Sequence, residues 1–286
     1  MSALAIALVL LSALLHAVWN FFSKGSGDRW AFFLAQGVLN VVLYAPVFLW
    51  LWPRAPVGGA GWMWIAASAS IHAGYAFYLL RSYDVGDLSL AYPLSRTAPI
   101  AVALWDAAFA PSELSGRGFA GAVLTGAGAV LLQLPLVLRR GARAVLRDRV
   151  TRYALVTALF VAAFTIVDKF GVTHVHPFVY LYLIGVGEFT VVGLRIGRSA
   201  PRRAGRELRG NTSAVLFTAL LGPFSYLLIL WVLATAPASY VLGLRQTSLV
   251  FGVLLGRFLL HERETGYRLL GAATIAAGSV LIAMAR

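Results

Sequence analysis

The sequence predicts an all-α integral membrane protein with ten transmembrane helices, arranged as two inverted five-helix repeats around a central cavity. Three observations lead to this fold class: the composition, the length of the apolar runs and an internal repeat. Of the 286 residues, 60% are hydrophobic and only 12% are charged, and the mean hydropathy is +0.80. A soluble domain carries about 25% charged residues and does not expose apolar patches of the size this composition implies. Soluble enzymes, disordered proteins and coiled coils are therefore excluded.

The apolar runs are continuous and long, as a membrane-spanning helix of about 20 residues requires. Strands of a transmembrane barrel would instead alternate apolar and polar residues. Turn residues and arginine-rich segments separate ten such runs. The predicted helices cover about 3–22, 30–52, 62–83, 87–109, 116–138, 153–170, 177–196, 213–235, 237–260 and 266–284.

Local signals set the helix boundaries. Pro53 ends the second helix, and Asp87 stands where an N-cap of the fourth helix is expected. Pro177 falls in the first turn of the seventh helix, where proline is tolerated. The arginine-rich segments 139–152 and 198–209 separate the fifth helix from the sixth and the seventh from the eighth.

An internal repeat relates the two halves of the chain. A shift of 150 residues aligns 85–132 with 235–282 without a gap, with 11 identities in 48 positions. Each half would hold five helices, and because five is odd, the second half enters the membrane from the opposite side. Inverted repeats of this kind are common in secondary transporters. The predicted organisation is a first repeat at 1–138, a basic connecting loop at 139–152 and a second repeat at 153–286.

The basic residues favour one side of the predicted bundle. Connections 1–2, 3–4, 5–6, 7–8 and 9–10 carry 16 arginines and lysines, whereas the other side carries 3. Short cytoplasmic loops are enriched in such residues. The distribution predicts a multi-pass protein of the cell inner membrane with both termini in the periplasm.

Arg96 is the strongest candidate site residue, because it lies deep in the fourth apolar run. An arginine at the centre of a spanning helix costs about 2.5–3.5 kcal/mol on translocon scales. Tyr92 precedes it by one turn, and Pro93 loosens the helix between them. In the second half, Arg245 and Gln246 fall at the repeat positions of Ser95 and Arg96. All four of Tyr92, Arg96, Arg245 and Gln246 are candidate substrate-binding residues.

Two further candidates lie on the first helix, where His16 and Asn20 are four residues apart and share a face. Glu188 lies within the seventh apolar run and is the candidate for proton coupling, since a buried carboxylate can carry a proton. Glu188 could equally be the structural counter-ion of Arg245. Each arginine could in turn pair with a buried carboxylate, for which Asp106, Asp168 and Glu188 are available.

Other polar residues receive structural interpretations. His72 is interpreted as a neutral histidine satisfied by its neighbours. Asp168 and Lys169 lie near the predicted end of the sixth helix and are interpreted as a local or interfacial pair. His174 and His176 are too few for a closed metal site, and catalytic motifs are absent from the sequence. We therefore expect no metal, no cofactor and no enzymatic activity.

In the segments around His16, Arg96 and the repeated glycines, the chain resembles the drug/metabolite transporter superfamily, specifically its ten-helix EamA-type members. The resemblance covers essentially the whole chain and rests on three stretches of sequence. They are His16-Ala-Val-Trp-Asn20 followed by a lysine, Gly86-Asp-Leu-Ser-Leu-Ala-Tyr-Pro-Leu-Ser-Arg96, and the spacing from Glu262 to Gly271 and Gly278 that echoes Glu113, Gly121 and Gly128. The resemblance implies a central cavity lined by the third, fourth, eighth and ninth helices, and movement of small metabolites, commonly export. Family members are usually drawn with cytoplasmic termini, opposite to the orientation that the arginines predict.

The sequence therefore predicts a secondary transporter of a small polar, anionic metabolite, working by alternating access as a monomer or a homodimer. Its partners would be a small-molecule substrate and the lipid bilayer, with no nucleic acid, since transmembrane topology accounts for the basic segments. The alternative is a membrane-embedded enzyme acting on a lipid or lipid-linked substrate. Such an enzyme would need polar catalytic groups near one interface.

Overall fold

The computed structural model of the protein describes residues 1–23, 28–85, 95–132, 134, 138, 141–259 and 266–285. These residues form helices joined by short turns, and no β-strand occurs among them. The predicted all-α membrane class is therefore confirmed. The helices are α1 (Ala3–Ser23), α2 (Arg29–Leu51), α3 (Gly59–Val85), α4 (Ala98–Phe109), α5 (Gly116–Leu131), α6 (Ala142–Arg147), α7 (Arg149–His174), α8 (Pro177–Ile196), α9 (Ala200–Gly210), α10 (Thr212–Leu233), α11 (Ala238–Arg245), α12 (Thr247–Leu259) and α13 (Gly266–Ala283).

Eight stretches of the described chain are long and apolar enough to cross a membrane. The described parts of the fourth and fifth predicted helices are shorter, with 12 residues in α4 and 16 in α5. A spanning helix needs at least about 17 residues, so the described residues support eight spans on length, and the predicted number of ten is not confirmed. Residues 86–94, which the sequence places at the start of the fourth helix, lie outside the described residues.

The arginine-rich segments are more helical than predicted. The segment 139–152, predicted as a connecting loop, contains α6, and α7 already begins at Arg149. The second segment, predicted as a loop at 198–209, forms α9. Arginine, alanine, glutamate and leucine are good helix formers, and an amphipathic helix lying at the interface keeps its charges in water. The two arginine-rich connections are therefore largely helical and not irregular loops.

The closing helices of the two repeats, α5 and α13, pack through reciprocal glycine contacts. A Cβ added to Gly121 would lie 2.7 Å from the carbonyl oxygen of Gly278, and one added to Gly278 would lie 2.7 Å from that of Gly121. Gly128 and Gly271 make the same reciprocal contact at 2.9 Å. The contacts run from 121 to 128 along α5 but from 278 to 271 along α13, so the two helices are antiparallel.

This register has the symmetry that an inverted repeat requires. Gly121 corresponds to Gly271 in the repeat, and Gly128 corresponds to Gly278, so exchanging the two halves maps one glycine contact onto the other. Two helices exchanged by a two-fold axis are antiparallel only when that axis is perpendicular to them, in the membrane plane. Other contacts follow the same exchange, since α1 packs on α10 as α7 packs on α3, and α2 packs on α8.

One face of the bundle gathers three connections that the sequence places on the same side. Arg203 of α9 donates from Nε and Nη2 to both carboxylate oxygens of Asp28, the N-cap of α2, at 2.9 and 2.8 Å. These hydrogen bonds hold the pKa of Asp28 below its usual range. The Trp30 indole donates to Asp84 at the end of α3, at 2.9 Å. Connections 1–2, 3–4 and 7–8 therefore share a face.

The opposite face gathers connections of the other set. Lys169, near the end of α7, forms an ion pair with Glu113 in the turn between α4 and α5. Gly61, near the start of α3, lies against Val175, which follows α7. Connections 2–3, 4–5 and 6–7 therefore lie together on this face, as the sequence-based assignment of sides predicts.

Candidate functional site

The helix that carries a candidate arginine is interrupted in each repeat. In the first repeat, residues 95–97 form a turn that precedes α4, which begins at Ala98. In the second repeat, Gln246 separates α11 from α12. The shift of 150 residues maps 95–97 onto 245–247, so both interruptions fall at equivalent positions. Discontinuous helices at equivalent depth in two repeats are the feature that best marks a transporter's binding site.

Arg96 contacts His16 of α1 across the bundle. The guanidinium Nη2 lies 2.5 Å from the imidazole Nε2. Because arginine keeps all its protons, Nε2 of His16 must be the acceptor, and any proton on this ring is carried by Nδ1. His16 also stacks on Trp19, with ring centroids 5.3 Å apart. The Asn20 amide donates to the carbonyl oxygen of His16 at 2.7 Å, so one of its donors bonds its own helix.

Arg245 approaches the same region from the second repeat. Its guanidinium carbon lies 5.2 Å from the ring centroid of Tyr226 on α10. Arg245 also interacts electrostatically with both His16 and His72. Its neighbour Gln246 is buried, and its Oε1 has no hydrogen-bond partner among the described residues. His16 therefore contacts Arg96 directly and interacts electrostatically with Arg245.

The most heavily bonded polar group is the carboxylate of Asp168. Ser68 and Tyr180 donate to Oδ1, at 2.5 and 2.8 Å. Tyr226 donates to Oδ2, and Nε2 of His72 lies 3.2 Å from the same oxygen. Asp168 is fully buried. These bonds join α3, α7, α8 and α10 at one carboxylate.

This arrangement corrects the interpretation of Asp168 as part of an interfacial pair. The sixth helix continues to His174 rather than ending near 170, which moves Asp168 into the bundle. Its neighbour Lys169 points elsewhere and pairs with Glu113. His72 is satisfied by a carboxylate and by stacking on Phe164, with ring centroids 4.1 Å apart.

The remaining acidic candidates differ in role. Glu188 of α8 is buried and interacts electrostatically with His72 and Asp168. Asp106 accepts a hydrogen bond of 2.8 Å from the backbone N–H of Ser239 in the first turn of α11. Asp106 therefore binds a helix N-terminus, where a negative charge is stabilising.

The structure thus brings His16, Arg96 and Arg245 together, and places Glu188 beside a cluster that the sequence did not predict. Tyr92 lies outside the described residues. The missed residues are Ser68, Tyr180 and Tyr226, whereas Asp168 had been considered only as a counter-ion or as part of a local pair. The sequence contained one signal for this cluster: Ser68 and His72 are four residues apart, so their polar side chains share a face of the third predicted helix. The tyrosines gave no signal, because a tyrosine in an apolar run is ordinary core sequence.

The charges of the site are unevenly distributed. Arg96 and Arg245 are partly exposed, whereas Asp168 and Glu188 are buried. The accessible part of the cluster is therefore positive, which suits an anion.

Within the described chain, no group of three or more histidine and acidic side chains is arranged to hold a metal. Residues around the arginines come from the third, fourth, eighth and ninth predicted helices, together with the first, sixth and seventh.

A membrane-embedded bundle of two inverted repeats, each with an interrupted helix that carries polar residues, is the architecture of a secondary transporter. Comparison with known proteins agrees. The model of the EamA-like transporter family matches residues 151–284. A crystal structure described only as that of a protein matches over 98% of this chain and 98% of its own, with a TM-score of 0.72 and 14% sequence identity. At that identity the likeness shows a shared fold alone. Among curated proteins no match is found.

Residues 151–284 thus match a family that is part of the drug/metabolite transporter superfamily. The resemblance inferred from the sequence is thereby confirmed. The protein is a multi-pass membrane transporter, and members of this family are transporters rather than enzymes.

Proposed function

We propose that the protein is a secondary active transporter of a small anionic metabolite, such as an amino acid or an organic acid, across the bacterial inner membrane. The observation that carries this proposal is the convergence of Arg96 and Arg245 at equivalent interruptions of two inverted repeats. Two guanidinium groups brought to the same depth of the bundle favour an anionic ligand, such as a carboxylate or a phosphate.

The chemistry of the arginines favours a carboxylate or a phosphate. A guanidinium presents a planar fork of donors that binds either group through two parallel hydrogen bonds. The N-termini of α4 and α12 lie next to Arg96 and Arg245, and a helix N-terminus also favours negative charge. Gln246 adds an amide whose oxygen could accept a hydrogen bond from an ammonium or hydroxyl group of the substrate.

Alternating access follows from the symmetry of the fold. The two repeats contact each other through α5 and α13 and through the crossings of α1 with α10 and α3 with α7. Rocking of one repeat against the other would close the site toward one face while opening it toward the other. Asp28–Arg203 and Glu113–Lys169 are ion pairs between the repeats on opposite faces, where such motion is expected to separate them in turn.

Counterflow in proteoliposomes tests this proposal. Vesicles loaded with one candidate anion would be challenged with the same labelled compound, over a panel of amino acids, organic acids and phosphonates, with a neutral sugar as the negative compound. Exchange of at least one anion, and none of the sugar, is expected. A panel without any exchanged anion, in vesicles that contain monodisperse protein, contradicts the proposal.

Arg96→Lys and Arg245→Lys locate the substrate within the same assay. Lysine keeps the charge but loses the bidentate fork, so we expect exchange to fall by at least about tenfold. Arg117→Lys is the matched control, because Arg117 is exposed at the start of α5. Exchange at the wild-type rate in Arg96→Lys would show that its guanidinium does not bind substrate.

We also propose that both termini face the periplasm, from the 16-to-3 distribution of basic residues. A C-terminal alkaline phosphatase fusion should be active, and a C-terminal green fluorescent fusion should be dark. The reverse pair of results would establish the orientation usual for the family.

A further inference from the structure

We propose that His72, held by Asp168 and faced by Glu188, binds the coupling proton of this transporter, and that the proton and the anionic substrate move together. This inference rests on the proposed function, because a coupling proton has meaning only if an anion is transported. It replaces Glu188 alone, the candidate from the sequence, with a three-residue arrangement in which the imidazole carries the proton.

Asp168 itself is unsuited to gain and lose the proton. Ser68, Tyr180 and Tyr226 donate hydroxyl hydrogen bonds to its two oxygens, and His72 completes the set on Oδ2. With the ring proton of His72 assigned to Nε2, a proton added to either oxygen of Asp168 would face a donor, so at least one bond would have to break. The geometry is therefore that of a carboxylate kept ionised in a buried place.

A buried anion requires a nearby cation, and His72 is the side chain placed to supply it. Histidine is also the side chain whose charge ordinarily changes between about pH 5 and 8. In the tautomer with the proton on Nε2, this nitrogen donates to Asp168, and Nδ1 is left for the exchanging proton. The ring is held between Phe164, stacked at 4.1 Å, and the edge of Tyr226 at 5.6 Å.

The charged and hydroxyl groups around His72 lie on four helices, α7, α8, α10 and α11. Asp168 on α7 and Glu188 on α8 are negative when ionised, and Arg245 on α11 is positive. Tyr180 on α8 and Tyr226 on α10 are neutral donors to Asp168. Two carboxylates thus attract a proton to the imidazole, while one guanidinium repels it.

In this proposal, the guanidinium of Arg245 couples proton binding at His72 to substrate binding. Arg245 is also one of the two proposed substrate-binding arginines, so an anion bound there offsets its repulsion of a protonated His72. Each ligand then increases the affinity for the other, because binding couplings are reciprocal. The proposal is that the two ligands, bound cooperatively at neighbouring groups, cross the membrane in the same transport step. If the proton and the anion move together, a more acidic outside drives uptake of the anion. The family resemblance implies the opposite direction, export.

The test compares His72→Gln with His174→Gln in proteoliposomes. Glutamine can still donate to Asp168 but cannot hold a second proton, and His174 is an exposed histidine at the end of α7. Two readouts are taken with the membrane potential clamped at zero: counterflow exchange, which needs no gradient, and accumulation driven by a pH gradient. Exchange reports on the proposed function, and accumulation reports on the proton.

Wild type and His174→Gln are expected to accumulate the anion on the alkaline side, about tenfold per pH unit for one proton. His72→Gln is expected to lose the accumulation, while its exchange falls but stays measurable. Exchange without pH-driven accumulation in the wild type would overturn this inference and leave the proposed function standing. Accumulation by His72→Gln equal to that of the wild type would overturn it as well.

A second measurement needs neither a substrate nor a folded variant of His72. Nitrogen-15 spectra of the five histidine rings are recorded against pH in the purified protein. The His72 signal is assigned from its loss in His72→Gln, or by elimination with single variants of the other four. A change of the ring between neutral and protonated forms within about pH 5–8 supports the inference. A ring that keeps one form over that range overturns it.

Discussion

Two helix crossings that the repeat relates to each other carry different polar chemistry. Where α1 crosses α10, Ser12 donates to the carbonyl oxygen of Ser225 at 2.7 Å, and Ser225 donates to that of Ser12 at 2.9 Å. Where α7 crosses α3, Asp168 accepts a hydrogen bond from Ser68 and three more from other side chains. The first crossing is a closed pair of small hydroxyls, and the second is a buried charge.

The difference shows which properties the repeat preserves. Both crossings join the first helix of one repeat to the third helix of the other, so the backbone packing is shared. The charge is present in only one of them. The proposed alternating access would use the symmetry of the backbone, whereas the single charged cluster is the proposed proton site.

The largest effect is expected at the charged crossing. In Asp168→Asn, the amide NH2 would face two of the four donors, so buried hydrogen bonds are lost and His72 loses its anion. Breaking a buried charge pair costs about 3–5 kcal/mol. The check is thermal unfolding of the purified protein in detergent, with Ser12→Ala as the comparison. A variant as stable as Ser12→Ala would mean that Asp168 contributes no more than a hydroxyl.

A smaller but clear loss is expected where the repeats meet through glycine. Gly121→Ala places a Cβ 2.7 Å from the carbonyl oxygen of Gly278, which forces α5 and α13 apart. Overpacking of this kind costs about 1–3 kcal/mol. Gly116→Ala is the matched control, because Gly116 also recurs in the repeat but has no atom within 4 Å of its added Cβ. Equal melting temperatures for the two variants would contradict the close contact.

The uncharged crossing should tolerate change. Ser12→Ala removes the hydrogen bond to Ser225 but leaves the one that Ser225 donates to the backbone of residue 12. Interhelical hydrogen bonds in membranes contribute about 0.6 kcal/mol each. We expect Ser12→Ala and Ser225→Ala to lose about that amount each, measured by unfolding in detergent. A loss as large as that of Asp168→Asn would remove the distinction between the crossings.

A similarly small effect is expected outside the membrane, at Asp28. Its pKa is lower in the folded protein because Arg203 donates to the carboxylate, so the ion pair stabilises the fold above the ordinary carboxyl pKa of about 4. That contribution is lost as pH falls through the lowered value. Since both side chains are 35% exposed, it amounts to at most about 1 kcal/mol.

Asp28→Asn isolates this charge, because asparagine can still cap α2. The difference from wild type should be full at neutral pH, shrink in high salt and vanish in acid. Arg203→Gln should match it, whereas Arg202→Gln, at an exposed neighbouring position, should have no effect. A pH-independent difference would assign the effect to packing rather than to charge.

The site could be predicted only in part from the sequence. Arg96, Arg245 and Glu188 are charged residues in apolar runs, and the cost of burying charge singles them out. The repeat also predicted that the two arginines lie at related positions. Asp168 was misinterpreted because the end of its helix was placed too early, and a shift of four residues moves a side chain from the interface into the bundle.

The sequence by itself determined the membrane class, the order of the helices and the inversion of the repeat. These properties follow from apolar run length, from charge in the connections and from an odd number of helices per half, all of which are local or additive. The tertiary structure alone decided that Ser68, His72, Tyr180 and Tyr226 meet at Asp168. Such a cluster depends on which faces of four helices meet, and side chains that are unremarkable along the chain become a site only through that packing.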